Sequence, residues 1–438
     1  MKKKRTLGSL NAVASILVVV SLIFNFLLEK DAYRYFNGLD SQFDLSPDDQ
    51  NILFSYFTGG DEAIYESNSD GKNVRKLAES ETERLHDPRY SSDGKKLLYL
   101  SQNSQQLNSL VVADRDGSNP NTLTTKKLHV SEAVFSKSGQ TIYFIAIPAK
   151  DYKKAEGETK EGADLYSISV KGGKPKQLTN LDHFSMNSLS LSPNGKDVYY
   201  ALDDTSRAKL TSFSIEKNAE VDVNIPSGMP SEAYSIRMSP NGENIAYTAI
   251  AKESRNSSLY EYELFLMDMA TGKTKRMTDL NTSVGNPKFF HGKNQIAFLE
   301  QTNWADTPEK YDFFIQDLDS KKLKPIAFSI PGQKPIPWFL YGMSQLANGT
   351  TAAVLYLLLV CFITTYLYLY HPKRTYLPAK VNFGLGIIGV VSSFIVALIS
   401  NPWFGIAIGG VSAFIMGAAI LAFAFAYLLK RIGERKRK

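Results

Sequence analysis

Few residues in this 438-residue chain have the types and spacing that chemistry requires. His86, Asp87 and Arg89 lie together and Glu132 follows one repeat later, a base, two carboxylates and a cation that could hold a polar or basic group. Nucleophilic hydrolysis of the α/β-hydrolase kind is excluded, because no G-x-S-x-G occurs anywhere. His86, His129, His183 and His291 are scattered without H-x-x-x-H or H-E-x-x-H spacing, so no metal and no cofactor are expected. The single Cys361 can build neither a disulfide framework nor a multi-thiolate site. Acidic turns such as Asn68-Ser69-Asp70-Gly71 and Asp114-Arg115-Asp116-Gly117 look like the start of a calcium loop. They lack its later ligands and stand where hairpin turns are needed anyway.

The elements that position these residues are repeats. Leu45-Ser46-Pro47-Asp48-Asp49, Tyr90-Ser91-Ser92-Asp93-Gly94, Phe135-Ser136-Lys137-Ser138-Gly139, Leu191-Ser192-Pro193-Asn194-Gly195 and Met238-Ser239-Pro240-Asn241-Gly242 are one pattern, and Phe290-His291-Gly292-Lys293 is a worn sixth copy. An apolar run follows each. Proline presets φ, and Asp/Asn-Gly supplies the positive φ of a tight reversal, so each copy reads as strand, turn, strand. A second hairpin follows, best seen in Leu110 to Gly117 and its partner ending at Leu123-Thr124. Two hairpins per repeat, at propeller-blade spacing, predict an all-β six-bladed β-propeller of four-stranded antiparallel blades. The ring latch is open at this stage, because the strand before Leu45 is poorly marked and residues 325–340 could supply one instead.

Counting back seven residues from each turn glycine gives Asp87, Glu132, Ser188 and Ser235, with Asn286 as the equivalent if Lys293 takes the turn position. These residues, with His86, are expected to begin the innermost strands and ring one mouth of the channel. Simple solvation of strand ends is the competing reading. The insertion Lys150 to Gly162 is expected to be a flexible exposed loop. Trp304 and Tyr311, in the longer loops of the later repeats, are candidate contact anchors.

Charge is segregated along the chain. Basic against acidic residues number 5 against 1 over residues 1–30, 36 against 42 over 31–336, and 9 against 1 over 337–438. The repeat region is therefore acidic, which excludes a nucleic-acid footprint. The two ends are apolar between their basic clusters, and four transmembrane α-helices are expected at 11–28, 351–370, 381–400 and 404–429. Around them fall a basic cytoplasmic start (1–10), a linker (29–40), the propeller (41–330), a second linker (331–350), a cytoplasmic loop (371–380), an outer hairpin (401–403) and a basic cytoplasmic tail (430–438). Positive residues favour the cytoplasmic side, so four crossings place both termini inside and the repeats outside the cytoplasm. A cleaved signal peptide is the alternative for the first helix, but no small-x-small site follows it. No ionisable residue lies within the spans, which argues against transport. Gly384, Gly386 and Gly389, with Gly405 and Gly409, permit close helix packing, either within a hairpin or onto a membrane partner.

The paired motifs, Tyr90 to Lys96 followed by Leu110 to Thr124, resemble the WD40-like repeats of TolB-type propellers over roughly residues 40 to 328. That class includes periplasmic scaffold proteins, propeller domains of prolyl-oligopeptidase-like peptidases and some polysaccharide lyases. The chain departs from the TolB pattern in lacking the separate N-terminal α/β domain and in carrying membrane spans. The resemblance implies a membrane-anchored extracytoplasmic module that binds, scaffolds or senses another membrane or envelope protein. The alternative is a propeller-type lyase or glycoside-processing enzyme with its site at the channel mouth.

Overall fold

The computed structural model describes residues 2–27, 31–154, 158–204, 207–223, 225–226, 228–230, 232–333, 335–339, 341–342, 348–400 and 402–435. Residue 28 at the end of the first expected span, residues 29–30 of the first expected linker, part of the insertion tip (155–157), residues 334, 340 and 343–347 of the second expected linker, Asn401 of the expected hairpin and 436–438 of the basic tail lie outside the described residues. The chain forms two compact units: Ala32–Ile336, and a helical unit made of Met1–Asp31 with Pro337–Lys438.

The first unit is built of up-and-down antiparallel sheets. One holds β1–β4 (Gly38–Leu45, Asn51–Thr58, Asp61–Asn68, Arg75–Ala78), and the next holds β5–β8 (Arg84–Tyr90, Lys96–Gln102, Asn108–Asp114, Asn121–Thr122). The third holds β9–β12 (Leu128–Phe135, Thr141–Pro148, Asp164–Ser169, Lys176–Gln177), and the fourth β13–β16 (Met186–Leu191, Asp197–Asp204, Arg207–Ser214, Ala219–Asp222). The remaining strands, β17–β20 (Ala233–Met238, Asn244–Ile250, Tyr262–Asp268, Thr274–Arg276) and β21–β24 (Ser283–Phe289, Gln295–Gln301, Tyr311–Asp317, Leu323–Ile326), form one eight-stranded sheet. The described sheets thus number five, against an expectation of six. The difference comes from a single parallel pair, Tyr262 with Ser283, which joins two otherwise antiparallel four-strand runs.

The first strands of these runs pack neighbour to neighbour in a closed cycle, β1, β5, β9, β13, β17, β21 and back to β1. Closure uses no shared strand, because β1–β4 and β21–β24 are each made of consecutive strands. Leu39, Phe43 and Phe54 from the first sheet instead pack with Phe290, Phe313 and Ile326 from the last strands in one core. Asp49 adds a polar clasp: its carboxylate accepts from the backbone N–H of His291 (2.8 Å) and of Gly292 (2.7 Å). Among the described residues of 325–340 no inner strand is added; Leu323–Ile326 completes the last run.

The repeated serine explains why the motif recurs. In the turn after β17, Ser239 Oγ donates to Asn241 (2.6 Å) and accepts from the N–H of Asn244 (2.9 Å), and Ser91, Ser192 and Ser46 do the same in their turns. A buried hydroxyl thereby satisfies the first amide of the returning strand, which burial would otherwise leave unpaired. Asp49 (φ +58°) takes the left-handed position that Gly94, Gly195 and Gly242 occupy elsewhere. The expected flexible insertion opens with a helical turn, α2 (Ala149–Tyr152), whose fully buried Asp151 is held by Lys154 at 2.5 Å.

The second unit contains α1 (Lys2–Leu27), α3 (Gly349–Tyr370), α4 (Leu377–Ile399) and α5 (Pro402–Arg435). Three of these, α3, α4 and α5, are long and apolar enough to cross a membrane. The count differs from the expected four because the apolar stretch described in α1, Ser9–Ile23, is shorter than a span. Helices α4 and α5 form a tight hairpin: a methyl added to Gly405 would come within 2.7 Å of the Ser393 carbonyl, and Gly386 faces Met416. The glycine spacing therefore serves contact within the hairpin. Tyr356 of α3 donates a short hydrogen bond to Asn382 of α4, whose amide in turn donates to the Pro378 carbonyl at 2.8 Å.

Candidate functional site

Each inner strand is broken at the same place by a register shift against its hairpin partner: Leu39/Phe43, His86/Arg89, Asn187/Ser190, Tyr234/Arg237 and Gly285/Lys288, with Ser131 skipped in β9. Four of the residues found by counting back seven sit in these bulges, while Glu132 stays paired with Ile145, next to the skipped Ser131. Asp87, Ser188, Ser235 and Asn286 have φ of +47°, +60°, +50° and +51°, the left-handed region that side chains other than glycine seldom adopt. They stand a few residues inside the strands; Asp87 is 3% exposed and Ser188 5%, whereas Ser235 and Asn286 are half-buried. Simple solvation of strand ends does not describe the buried Asp87 and Ser188.

Two positions further along, where pairing resumes after the bulge, stand Asp44, Arg89, Arg237 and Lys288. Counting back seven found one tier and did not reach this one. The two tiers converge across the ring. Arg89 Nη2 meets Asp87 Oδ1 at 2.8 Å, Arg237 Nη2 of β17 reaches Glu132 Oε2 of β9 at 4.0 Å, and Lys288 Nζ lies 3.9 Å from Asp44. Burial alone would lower the Arg89 pKa, but Asp87, Asp44 and Glu132 together raise it. Burial raises Asp44 and Glu132 against the pull of Arg89 and Arg237 respectively, and it lowers Arg237. Three carboxylates and three cations thus balance in a confined space, as buried charges must.

Some members of this cluster are committed to holding the ring. Glu132 accepts from the backbone N–H of Ser188 (2.9 Å) and of Leu189 (2.8 Å) in the next inner strand. Asp44 accepts from Tyr90 N–H at 3.0 Å, and Asn286 Nδ2 donates to the Ser41 carbonyl at 2.5 Å. Others are not committed. Asp87 Oδ1 and Oδ2, Gln42 Oε1, His86 Nε2 and Arg237 Nε are buried without a hydrogen-bond partner among the described residues. Asp87 Oδ1 is already ion-paired with Arg89 at 2.8 Å, so its free acceptor is Oδ2. Orphaned buried acceptors are costly, and Asp87 Oδ2 on β5 and Gln42 Oε1 on β1 can accept hydrogen bonds from a donor-rich group.

The remaining candidates lie elsewhere in the same unit. Trp304 donates from Nε1 to the Tyr260 carbonyl (2.6 Å) and continues an aromatic row with Tyr262 and Tyr234. Tyr311 packs against the core between the first and last strands, and its hydroxyl reaches Glu309 at 3.4 Å, so it is an internal contact. The scattered histidines take separate partners. His129 stacks on Tyr152 at 3.6 Å, and burial pushes it down to about 4, so it is neutral. His183 lies 3.4 Å from Glu220, and His291 lies 3.1 Å from Asp49. Among the described residues no three His, Cys, Asp or Glu side chains are grouped to hold a metal.

Residues 61–209 match the Dipeptidyl peptidase IV (DPP IV) N-terminal region. Among solved structures, TolB from Acinetobacter baumannii aligns with 16% identity and a TM-score of 0.48, over 64% of this chain and 63% of that one. The similarity is to TolB and other propellers. A putative TolB from Agrobacterium tumefaciens (18% identity, TM-score 0.45) aligns over 58% of this chain and 84% of its own. Oligogalacturonate lyase from Vibrio parahaemolyticus (12% identity, TM-score 0.47) aligns over 65% and 91%. The chain spans less than two thirds of the Acinetobacter TolB. No curated protein matches the sequence.

Proposed function

We propose that the chain is a six-bladed propeller, anchored by four membrane crossings and held outside the cytoplasm, that binds a basic group of a membrane or envelope protein along its axis. Counting β17–β20 and β21–β24 as separate blades gives six, in keeping with the closed cycle of inner strands. Helix α1 is the first crossing, and the basic segments 1–10, 371–380 and 430–438 then share the cytoplasmic side. The observation that carries the binding role is Asp87, a 3%-exposed carboxylate paired with Arg89 through Oδ1 while its Oδ2 has no partner among the described residues, with Gln42 Oε1 of β1 and His86 Nε2 likewise unpartnered. An ammonium or guanidinium would satisfy these acceptors at once.

The test is affinity purification of the full-length protein from its native membrane, with Asp87→Asn for comparison. Asparagine keeps the shape and tolerates the positive φ of that bulge. A partner recovered with wild type and reduced about tenfold or more with Asp87→Asn, at unchanged melting temperature, supports the reading. A partner equally retained by both forms contradicts it.

One feature favours a second reading. His86 Nε2 is buried without a hydrogen-bond partner among the described residues, and an imidazole so placed is the kind of group that serves as general base in a lyase. Release of unsaturated product from an envelope glycan, abolished by His86→Gln, would favour that enzyme over a binding module.

A further inference from the structure

Between the start of α4 and the middle of α5 lies a groove of about 410 Å³ lined by Tyr376, Lys380 and Phe383 on one side and Ala419, Ile420 and Phe423 on the other. Its wall is apolar except at one end. There Phe423 lies 5.2 Å from the Tyr376 ring and Lys430 Nζ sits 4.6 Å over its face. One ammonium group therefore stands at the end of an apolar slot whose wall includes a second lysine, Lys380, one turn along α4. Among the described residues no acidic side chain pairs with either, and Glu434 is the only acid between residues 337 and 438.

We propose that this groove is a binding site for an anionic phospholipid, with one acyl chain along Phe383, Ile420 and Phe423 and the phosphate between Lys380 and Lys430. Phe383 and Ile420 are exposed on membrane-length helices, so the slot is open to hydrocarbon and not to water. The charge is complementary to a phosphodiester, and basic pockets beside transmembrane helices hold such headgroups. Lys430 is already oriented by its contact with Tyr376, which lowers the entropic cost of ordering it on the ligand. The proposal needs only that α4 and α5 lie in a bilayer and is independent of what the propeller binds.

The experiment is native mass spectrometry of the full-length chain in detergent with phosphatidylglycerol, phosphatidylcholine or glycerol phosphate added at equal concentration. Phosphatidylglycerol should stay bound while phosphatidylcholine and glycerol phosphate do not. Lys380→Ala and Lys430→Ala should each lower phosphatidylglycerol retention about fivefold. Lys380→Arg/Lys430→Arg should restore it, which separates lost charge from lost fold, and Lys373→Ala in the adjoining turn should leave it unchanged. Equal retention of the two lipids would overturn the proposal, because the cations would then select nothing. Retention of glycerol phosphate as strong as that of the lipid would also overturn it, since the groove would play no part. So would a loss with Lys373→Ala as large as with Lys380→Ala, which would reduce the effect to general surface charge.

Discussion

Glu132 in β9 and Asp87 in β5 hold the same place in successive repeats, yet one is fully engaged and the other is not. Glu132 gives both oxygens to amides of β13, whereas Asp87 makes no bond to a neighbouring strand and is paired only with Arg89 of its own, through Oδ1. The reason is one of reach. Glutamate has an extra methylene that carries its carboxylate to the neighbouring bulge, while the shorter Asp87 stays near its own strand beside Arg89. A repeat position can therefore act as mortar in one blade and as an open acceptor in the next. Side-chain length and backbone both differ, since Asp87 lies in a bulge at φ +47° and Glu132 stays in register with Ile145.

Substitutions can break this contrast, and the largest effect is expected at Glu132. Glu132→Ala leaves two buried amides and Arg237 without their acceptor, so unfolding should be easier by about 3 kcal/mol, read by denaturant melts. Glu132→Gln keeps one acceptor and should lie between wild type and alanine. A loss under about 1 kcal/mol for the alanine variant would mean that the inner ring is not held by this carboxylate.

Ser239→Ala in the turn should cost about 1 kcal/mol, since the Asn244 amide loses its partner but lies close to solvent. The same change at exposed Ser257 should be silent, and equal effects at both sites would remove the turn serine from the explanation of the repeat.

Glu62 sharpens the contrast in a different way. It is 5% exposed, and burial first, then the nearby Asp40, raise its pKa well above the usual range. Folding therefore favours the protonated form. Its contribution is intact below the ordinary glutamate pKa of about 4.5 and is lost as pH rises from there through the raised folded value. Glu62→Gln should consequently raise the melting temperature at neutral pH by about 2 °C or more, with the gap closing toward pH 4. A gap that is the same at both pH values would mean that Glu62 is charged in the folded protein.

Asp87→Asn is expected to have the smallest effect on stability, within about 1 kcal/mol, because Asp44 and Glu132 still act on Arg89.

The repeat was legible because the turn chemistry is written in consecutive residues: Ser-Pro-Asn-Gly at 192–195 and 239–242 needs no tertiary information to read. The tier containing Asp87, Glu132, Ser188, Ser235 and Asn286 was legible too, through a constant offset from those turns. Its setting was not. The offset lands in a bulge, and the extra residue that makes a bulge has no signature of its own when Asp, Ser and Asn replace glycine at positive φ. Arg89 was named beside Asp87, but Arg237 was missed as a partner because its approach to Glu132 depends on ring closure, which brings residues more than a hundred apart within reach. The latch was unreadable for a related reason: aromatic packing of Phe43 on Phe313 closes the ring, and such packing leaves no motif.

The most direct test of axial binding is photo-crosslinking in the native membrane from a photoreactive residue at position 235, compared with one at position 138. Ser235 lies in an inner-strand bulge beside exposed Tyr234, and Ser138 lies in a turn at the opposite end of its inner strand. A protein adduct from position 235 alone, lost when Asp87→Asn is added, is the expected result. An adduct from position 138 alone, or one from 235 that persists with Asp87→Asn, would contradict binding along the axis.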